Sequence, residues 1–140
     1  MPASSDTAGS DRLTLAAKVR VAAQVVATFA VVRTRVHRQP LPDLAHALAS
    51  PGRARERRPP HRLANAVDRT LRLGRRRPTC LVSSLVLFRL LRRQGDAAEL
   101  VIGLPASPRD KDAHAWVELE GRDVGPPPGR SGHVELARYA

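Results

Sequence analysis

Two residues with the chemistry of acyl transfer each open a predicted element of secondary structure. Cys80 is the only cysteine of the 140 residues, and it begins CLVSSLVLFRLLRRQG, whose apolar spacing predicts a helix. His114 follows 34 residues later in AHAWVELEGR, where a strand-type alternation predicts a strand. A cysteine nucleophile needs a base to take its proton, and histidine is the usual one. The pair indicates nucleophilic catalysis at a carbonyl group.

The surroundings of Cys80 favour a reactive thiol. The preceding stretch, GRRRPT, carries three arginines, and a helix N-terminus carries partial positive charge. Both features favour thiolate over thiol. A competing interpretation remains for each residue alone: a free cysteine is often a small buried core residue, and a single strand histidine often only packs.

The rest of the chain predicts elements that would position this pair. Residues 1–10 predict a disordered tail, and 11–140 predict a single domain with a helical part, 11–75, and a helix plus sheet, 76–140. The Pro- and Arg-rich stretch 51–62 reads as a loop between helices. Helices are expected at 12–37, 41–50 (capped by Asp43), 63–73 and 80–94, strands at 98–105, 113–119 and 122–125, and a strand or short helix at 133–139. This order predicts an α+β fold with helices on one side of a small antiparallel sheet.

Composition restricts the possible functions. One cysteine excludes an internal disulfide and any Cys-rich zinc site. The remaining histidines show no ligand spacing, so we predict no metal and no cofactor. The net charge of +11, from 24 basic and 13 acidic residues, attracts anions. The Arg-rich loops 53–62 and 72–77 therefore support an alternative function as a basic binding module.

The N-terminal half contains a short apolar run. Residues 21–32 are uncharged, but a membrane-spanning helix needs about 20 apolar residues. Arginines follow the run where a signal peptide would have a small-residue cleavage site. We predict a buried or interfacial helix in a cytoplasmic protein, with peripheral membrane contact as an option.

Two longer stretches resemble a known family. CLVSSLVLFRLLRRQGDAAELVIGLP followed by AHAWVELEGRDVG is similar to the transglutaminase-like leader peptidase of lasso-peptide biosynthesis, in particular to the stand-alone peptidase half of the split form. The resemblance covers roughly residues 60–125. The cysteine-led helix, the AEL.IG strand and the AHAWVE..GR hairpin occur in the family's order.

The resemblance implies a fold, a reaction and partners. The fold would be a papain- and transglutaminase-like core, and the enzyme a cysteine peptidase that cuts a precursor peptide between leader and core. Cys80 would be the nucleophile and His114 the general base and acid. A separate recognition protein would bind the leader, and a macrolactam synthetase would then close the core. No nucleic acid is expected as a partner.

The third member of the implied triad is open at this stage. Relatives have an acidic residue about a dozen positions after the histidine, where this chain has Pro126. Asp123 is the nearest acid, but a two-residue turn at Glu120-Gly121 would pair it with Glu118, on the order of 13 Å from His114 along the ladder. Alternatives are that Asp110, Asp112 or Glu135 folds back, or that a backbone carbonyl or water orients the imidazole.

Three further expectations concern neighbouring groups. Trp116 shares a strand face with His114 and would shield the pair, line the substrate groove or pack in the core. Ser83 and Ser84 are expected to cap the helix locally. The backbone N–H of Cys80 is the natural oxyanion donor. An inactive peptidase retained as a scaffold is a further alternative.

Overall fold

The chain folds as four helices followed by a four-stranded antiparallel sheet, so the predicted α+β class is confirmed. The computed structural model describes residues 15–52, 57–107, 113–125 and 132–140. The predicted tail, 1–10, lies outside the described residues. The elements are α1 (Leu15–Val36), α2 (Leu41–Leu48), α3 (Pro60–Arg72), α4 (Cys80–Arg93), β1 (Glu99–Pro105), β2 (His114–Leu119), β3 (Arg122–Asp123) and β4 (His133–Tyr139).

Prolines, more than side-chain caps, set the starts of α2 and α3. The N-cap residues are Pro40 and Pro59, and neither helix start has a side-chain cap. The prediction that Asp43 caps the second helix was therefore wrong. Asp43 lies inside the first turn of α2, where a negative charge still interacts favourably with the helix dipole.

Helix α4 forms the centre of the core. Its side chains are buried on nearly all sides, as expected for a helix enclosed by other elements. It packs against α1, α2 and α3 and against the sheet. The fully enclosed residues include Leu85, Val86, Phe88 and Leu91, each 0% exposed. Because α4 is fixed on every side, the cysteine at its first position has a well-defined place in the fold.

The sheet has the strand order β3-β2-β1-β4. The hairpin between β2 and β3 turns at Glu120 and Gly121, with φ of 54° and 76°. Two successive positive φ values are typical of a type I′ turn, and glycine at the second position adopts this conformation readily. The predicted pairing of Glu118 with Asp123 is confirmed. The C-terminal segment, left open as strand or helix, is strand β4, paired with β1.

One arginine joins three strands on the sheet face opposite the helices. Arg138 of β4 donates to Glu99 at 2.7 Å, to Glu118 at 3.0 Å and to Glu135 at 2.8 Å. Glu118 is only 2% exposed and also accepts a hydrogen bond from Trp116 Nε1 at 3.0 Å. The hydrogen bonds to Glu135 and Glu99 raise the pKa of Arg138 above its ordinary value. The guanidinium therefore stays charged, and the raised pKa of Arg138 stabilises the fold at neutral pH, a contribution lost only when the pH rises through the folded-state pKa.

We expect Arg138→Met to destabilise the fold by about 1–3 kcal/mol, because the buried carboxylate of Glu118 loses its cation. Urea unfolding at neutral pH measures this change. Arg122→Met, on the exposed end of β3, is the control and should change the stability by less than about 0.5 kcal/mol. Adding Glu118→Gln to Arg138→Met should restore part of the loss. Equal stability of the two single variants would contradict a role for this network.

Helix α1 combines a buried stripe with an exposed apolar side. Val21, Val25 and Val32 are buried against the other helices, whereas Leu15 and Val19 are 78% and 60% exposed. Within the described residues, α1 is long and apolar enough to cross a membrane by length and composition, with 17% of its most apolar window buried. A core helix of a soluble protein passes the same test. The buried valines are the part of α1 that agrees with the predicted core-packing role.

Candidate active site

The cysteine lies at the first position of α4, as predicted. Thr79 is the N-cap residue, and its hydroxyl accepts a hydrogen bond from the Val82 amide at 3.3 Å. The first intrahelical bond runs from the Ser83 amide to the Thr79 carbonyl at 3.0 Å. The amide of Cys80 therefore precedes the helical hydrogen bonds and points out of the N-terminus. This geometry suits an oxyanion donor beside the thiol.

The thiol is accessible. Cys80 is half-buried and lines a cleft of about 240 Å³ between the first turn of α4 and the last turns of α3. The cleft also contains Asp68 and Arg72, which form an ion pair at 2.9 Å. Its volume is below the ~300–1,000 Å³ typical of small-molecule pockets. The cleft is therefore smaller than a typical site for a whole metabolite.

Helix α4 and strand β2 run in the same direction and are joined by a buried hydrogen bond. Ser84 donates from Oγ to the carbonyl of Ala115 at 3.0 Å. Further along both elements, Leu87 and Val117 line the same crevice. Cys80 precedes Ser84 by one helical turn, about 6 Å along the axis, and His114 directly precedes Ala115. The starts of α4 and β2, each carrying one of the two predicted catalytic residues, therefore lie at the same end of the fold.

The imidazole belongs to an aromatic cluster on the outer face of the sheet. Ala115 and Val117 lie on the helix-facing side of β2, and His114 alternates to the opposite side with Trp116. The ring of His114 stacks on His133 of β4 with centroids 4.8 Å apart and an interplanar angle of 29°. The indole of Trp116 lies 6.0 Å from His114 and 5.7 Å from His133. The structure thus supports a packing role for Trp116 beside the imidazole.

Trp116 requires the glycine beside it on β1. A Cβ added at Gly103 would lie 2.7 Å from the indole and 2.7 Å from the Val134 carbonyl. Gly103 pairs with His114 on one side and with Glu135 on the other. The missing side chain gives the indole and the two imidazoles room to pack over β1.

The hairpin register does not place Asp123 opposite His114. Asp123 pairs with Glu118, four residues along β2 from the histidine. Glu135, one of the alternatives, shares a sheet face with His114 across Gly103 and accepts two hydrogen bonds from Arg138, at 2.8 and 3.2 Å. Asp110 and Asp112 lie outside the described residues. The third member of the triad stays a prediction.

Comparison with known protein families shows the family to which the chain belongs. The profile of the transglutaminase-like superfamily matches residues 14–136. The chain belongs to this superfamily. Searches of curated proteins and of solved structures gave no significant match in either set.

Transglutaminase-like domains are typically cysteine-dependent hydrolases or transferases, and such a domain is consistent with cysteine peptidase activity in general. This agrees with a sole cysteine at a helix start and a histidine at a strand start. Within the residues that the structure describes, no group of three or more His, Cys, Asp or Glu side chains is arranged to hold a metal.

Three residues of this transglutaminase-like site were missed by the sequence analysis. Ser84 bonds to β2 instead of capping its helix, so that prediction was wrong. The sequence separation of His114 and His133 gave no sign that their rings stack, because β4 lies beside β1 and is not adjacent to β2. Asp68, which lines the thiol cleft, lies on a different helix from the thiol. The only sequence signal for any of these contacts was Ser84 itself, a polar residue that interrupts the apolar face of its helix.

We expect Ser84→Ala to lower the stability by about 1 kcal/mol, because a buried hydrogen bond between α4 and β2 is lost. The same variant should lower kcat more than it raises KM, because Ser84 positions β2 and does not touch the substrate. Ser50→Ala, at an exposed position outside the thiol cleft, is the control. Equal kcat values for the two variants would show that the Ser84 bond has only a structural role.

Proposed function

We propose that this protein is a cysteine peptidase that removes the leader from a ribosomally made lasso-peptide precursor. The observation that carries the proposal is the parallel arrangement of α4 and β2. Their starts, with Cys80 and His114, lie at one end of a transglutaminase-like domain. The cleft beside the thiol is smaller than a typical site for a whole metabolite.

The reaction follows from these groups. In the proposed reaction, the imidazole of His114 acts as the general base and takes the proton of the Cys80 thiol. The thiolate attacks the scissile carbonyl, and the Cys80 amide donates to the oxyanion. The imidazolium then protonates the leaving amine as the C–N bond breaks, leaving a thioester on Cys80. A water molecule, deprotonated by His114, attacks the thioester, releasing the leader as a carboxylic acid and restoring the thiol.

The partners follow from the proposed substrate. A separate recognition protein presents the leader, and a macrolactam synthetase uses the released core, all in the cytoplasm. The exposed apolar side of α1, with Leu15 and Val19, supports contact with a partner or a membrane surface. Support for this partnership comes from the sequence resemblance over residues 60–125.

The test is reconstitution with purified precursor and recognition protein, read by mass spectrometry. The proposal expects one cut at the leader–core junction, with none after iodoacetamide treatment or in Cys80→Ala protein. Iodoacetamide-treated protein that cleaves as fast as untreated protein would refute it.

The alternative is a catalytically inactive basic binding or scaffold module of the same fold. The exposed arginines before α4, Arg75 and Arg76, and the net charge of +11 are the observations that favour it. This alternative expects no cleavage and a strong, salt-sensitive affinity for nucleic acid or another polyanion.

A further inference from the structure

A second concave surface lies between α1 and α3, on the other side of α3 from the thiol cleft. It encloses about 640 Å³, within the ~300–1,000 Å³ typical of ligand-binding pockets. We call it the α1/α3 groove. Its described lining includes Lys18 and Val21 of α1, Arg57 before α3, and Leu63 and Arg69 of α3.

The charged residues that the structure describes around the α1/α3 groove all have one sign. Five of its described lining residues are cationic and none is acidic. Lys18 lies on the α1 wall and Arg69 on the α3 wall. Arg57 bonds to the buried carboxylate of Asp96, but its own side chain remains 71% exposed. Positive charges gathered around a groove with an apolar floor reinforce one another's electrostatic potential and attract an anion.

The floor of the α1/α3 groove is aliphatic. Val21 and Leu63 are each 4% exposed and lie between the cationic walls with Ala22 and Ala66. Among the residues that the structure describes, no aromatic side chain lines the groove. Proteins that bind single-stranded nucleic acid stack bases on aromatic rings. The lining therefore favours a ligand with carboxylates and aliphatic side chains over an oligonucleotide.

The length of the α1/α3 groove limits the size of its ligand. From Arg62 to Arg69 the α3 wall rises about 10 Å, which is the length of about three extended residues. A peptide of that length places an aliphatic side chain on the floor and a carboxylate toward each wall.

We propose that the α1/α3 groove binds an acidic peptide segment, with an aliphatic side chain of that segment on Val21 and Leu63 and its carboxylates beside Lys18 and Arg69. The inference does not rest on the proposed peptidase activity. Helix α3 separates the groove from the thiol cleft, since Arg69 lines the first and Asp68 the second. A segment bound in the groove would tether a longer polypeptide to the same domain that carries Cys80.

The test uses a fluorescein-labelled hexapeptide, Glu-Leu-Glu-Glu-Leu-Glu, and fluorescence anisotropy with full-length Cys80→Ala protein. This variant makes binding a readout separate from cleavage. We expect the double variant Lys18→Glu and Arg69→Glu to weaken binding at least about tenfold, because two attractions become repulsions. Replacing the leucines of the peptide by serines should weaken binding severalfold at constant charge.

The matched control is Arg20→Glu with Arg33→Glu, which makes the same change of net charge at exposed positions of α1 outside the groove. It should leave the affinity within about twofold. An equal loss in both double variants would overturn the proposal in favour of nonspecific attraction. Tighter binding of an oligothymidylate or of anionic vesicles than of the peptide, lost in the Lys18 and Arg69 variant, would also overturn it. Circular dichroism of both variants verifies that they are folded.

Discussion

Cys80→Ala protein is expected to lose precursor cleavage by about 10⁴-fold or more in kcat/KM, because no other group in the site can form the thioester. The fold should persist. Cys80 is half-exposed at a helix start, and replacing such a residue by alanine changes the stability by about 0.5 kcal/mol or less. Cleavage rates with purified precursor and recognition protein, together with thermal unfolding curves, measure the two effects separately.

Two controls make the Cys80 experiment specific. Cys80→Ser replaces the thiol by a hydroxyl group of similar size. A serine hydroxyl cannot form a thiolate, so cleavage by this variant should also be lost. Ser50→Ala, at an exposed position outside the thiol cleft, should cleave at close to the wild-type rate. Cleavage by Cys80→Ala protein at a rate near wild type would end the peptidase proposal. The proposal that the α1/α3 groove binds an acidic peptide would be unaffected, since that binding is measured in Cys80→Ala protein.

His114→Ala protein is expected to lose cleavage and to be alkylated more slowly at Cys80 than wild-type protein. Alkylation by iodoacetamide is followed in both proteins at the same pH. Without the imidazole the reaction should be slower, because no base takes the proton of the thiol. Cleavage should fall by about 10²–10⁴-fold, the usual contribution of a general base.

Other histidine variants test whether the effect belongs to the stacked pair. His133→Ala removes the ring that stacks on His114 and should give a smaller loss of cleavage than His114→Ala. His46→Ala, exposed on α2, should have no effect. A thiol that stays inert in wild-type protein until unfolding would identify Cys80 as a packing residue. The inactive scaffold would then be the better description.

Elements defined by short-range sequence signals were largely predictable. AELVIGLP is a short apolar run and HAWVEL follows a strand-type alternation, so both were predictable as strands. Glu120-Gly121 fixes the hairpin register because a two-residue turn allows one pairing. That register separates Asp123 from His114. The start of α2 was less predictable, since Pro40 made a side-chain cap by Asp43 unnecessary.

By itself, then, the sequence determined the order of helices and strands as far as β3, the hairpin register and the position of Cys80 and His114 at the starts of two elements. These features depend on residues within a few positions of one another, such as the Thr79 cap and the glycine of the turn. The tertiary structure alone decided that Ser84 bonds to β2, that His133 stacks on His114, and that Lys18 and Arg69 face one groove. Each of these contacts joins elements that are far apart in the chain. Whether the elements come into contact depends on how α4 packs in the core and on which edge of β1 pairs with β4.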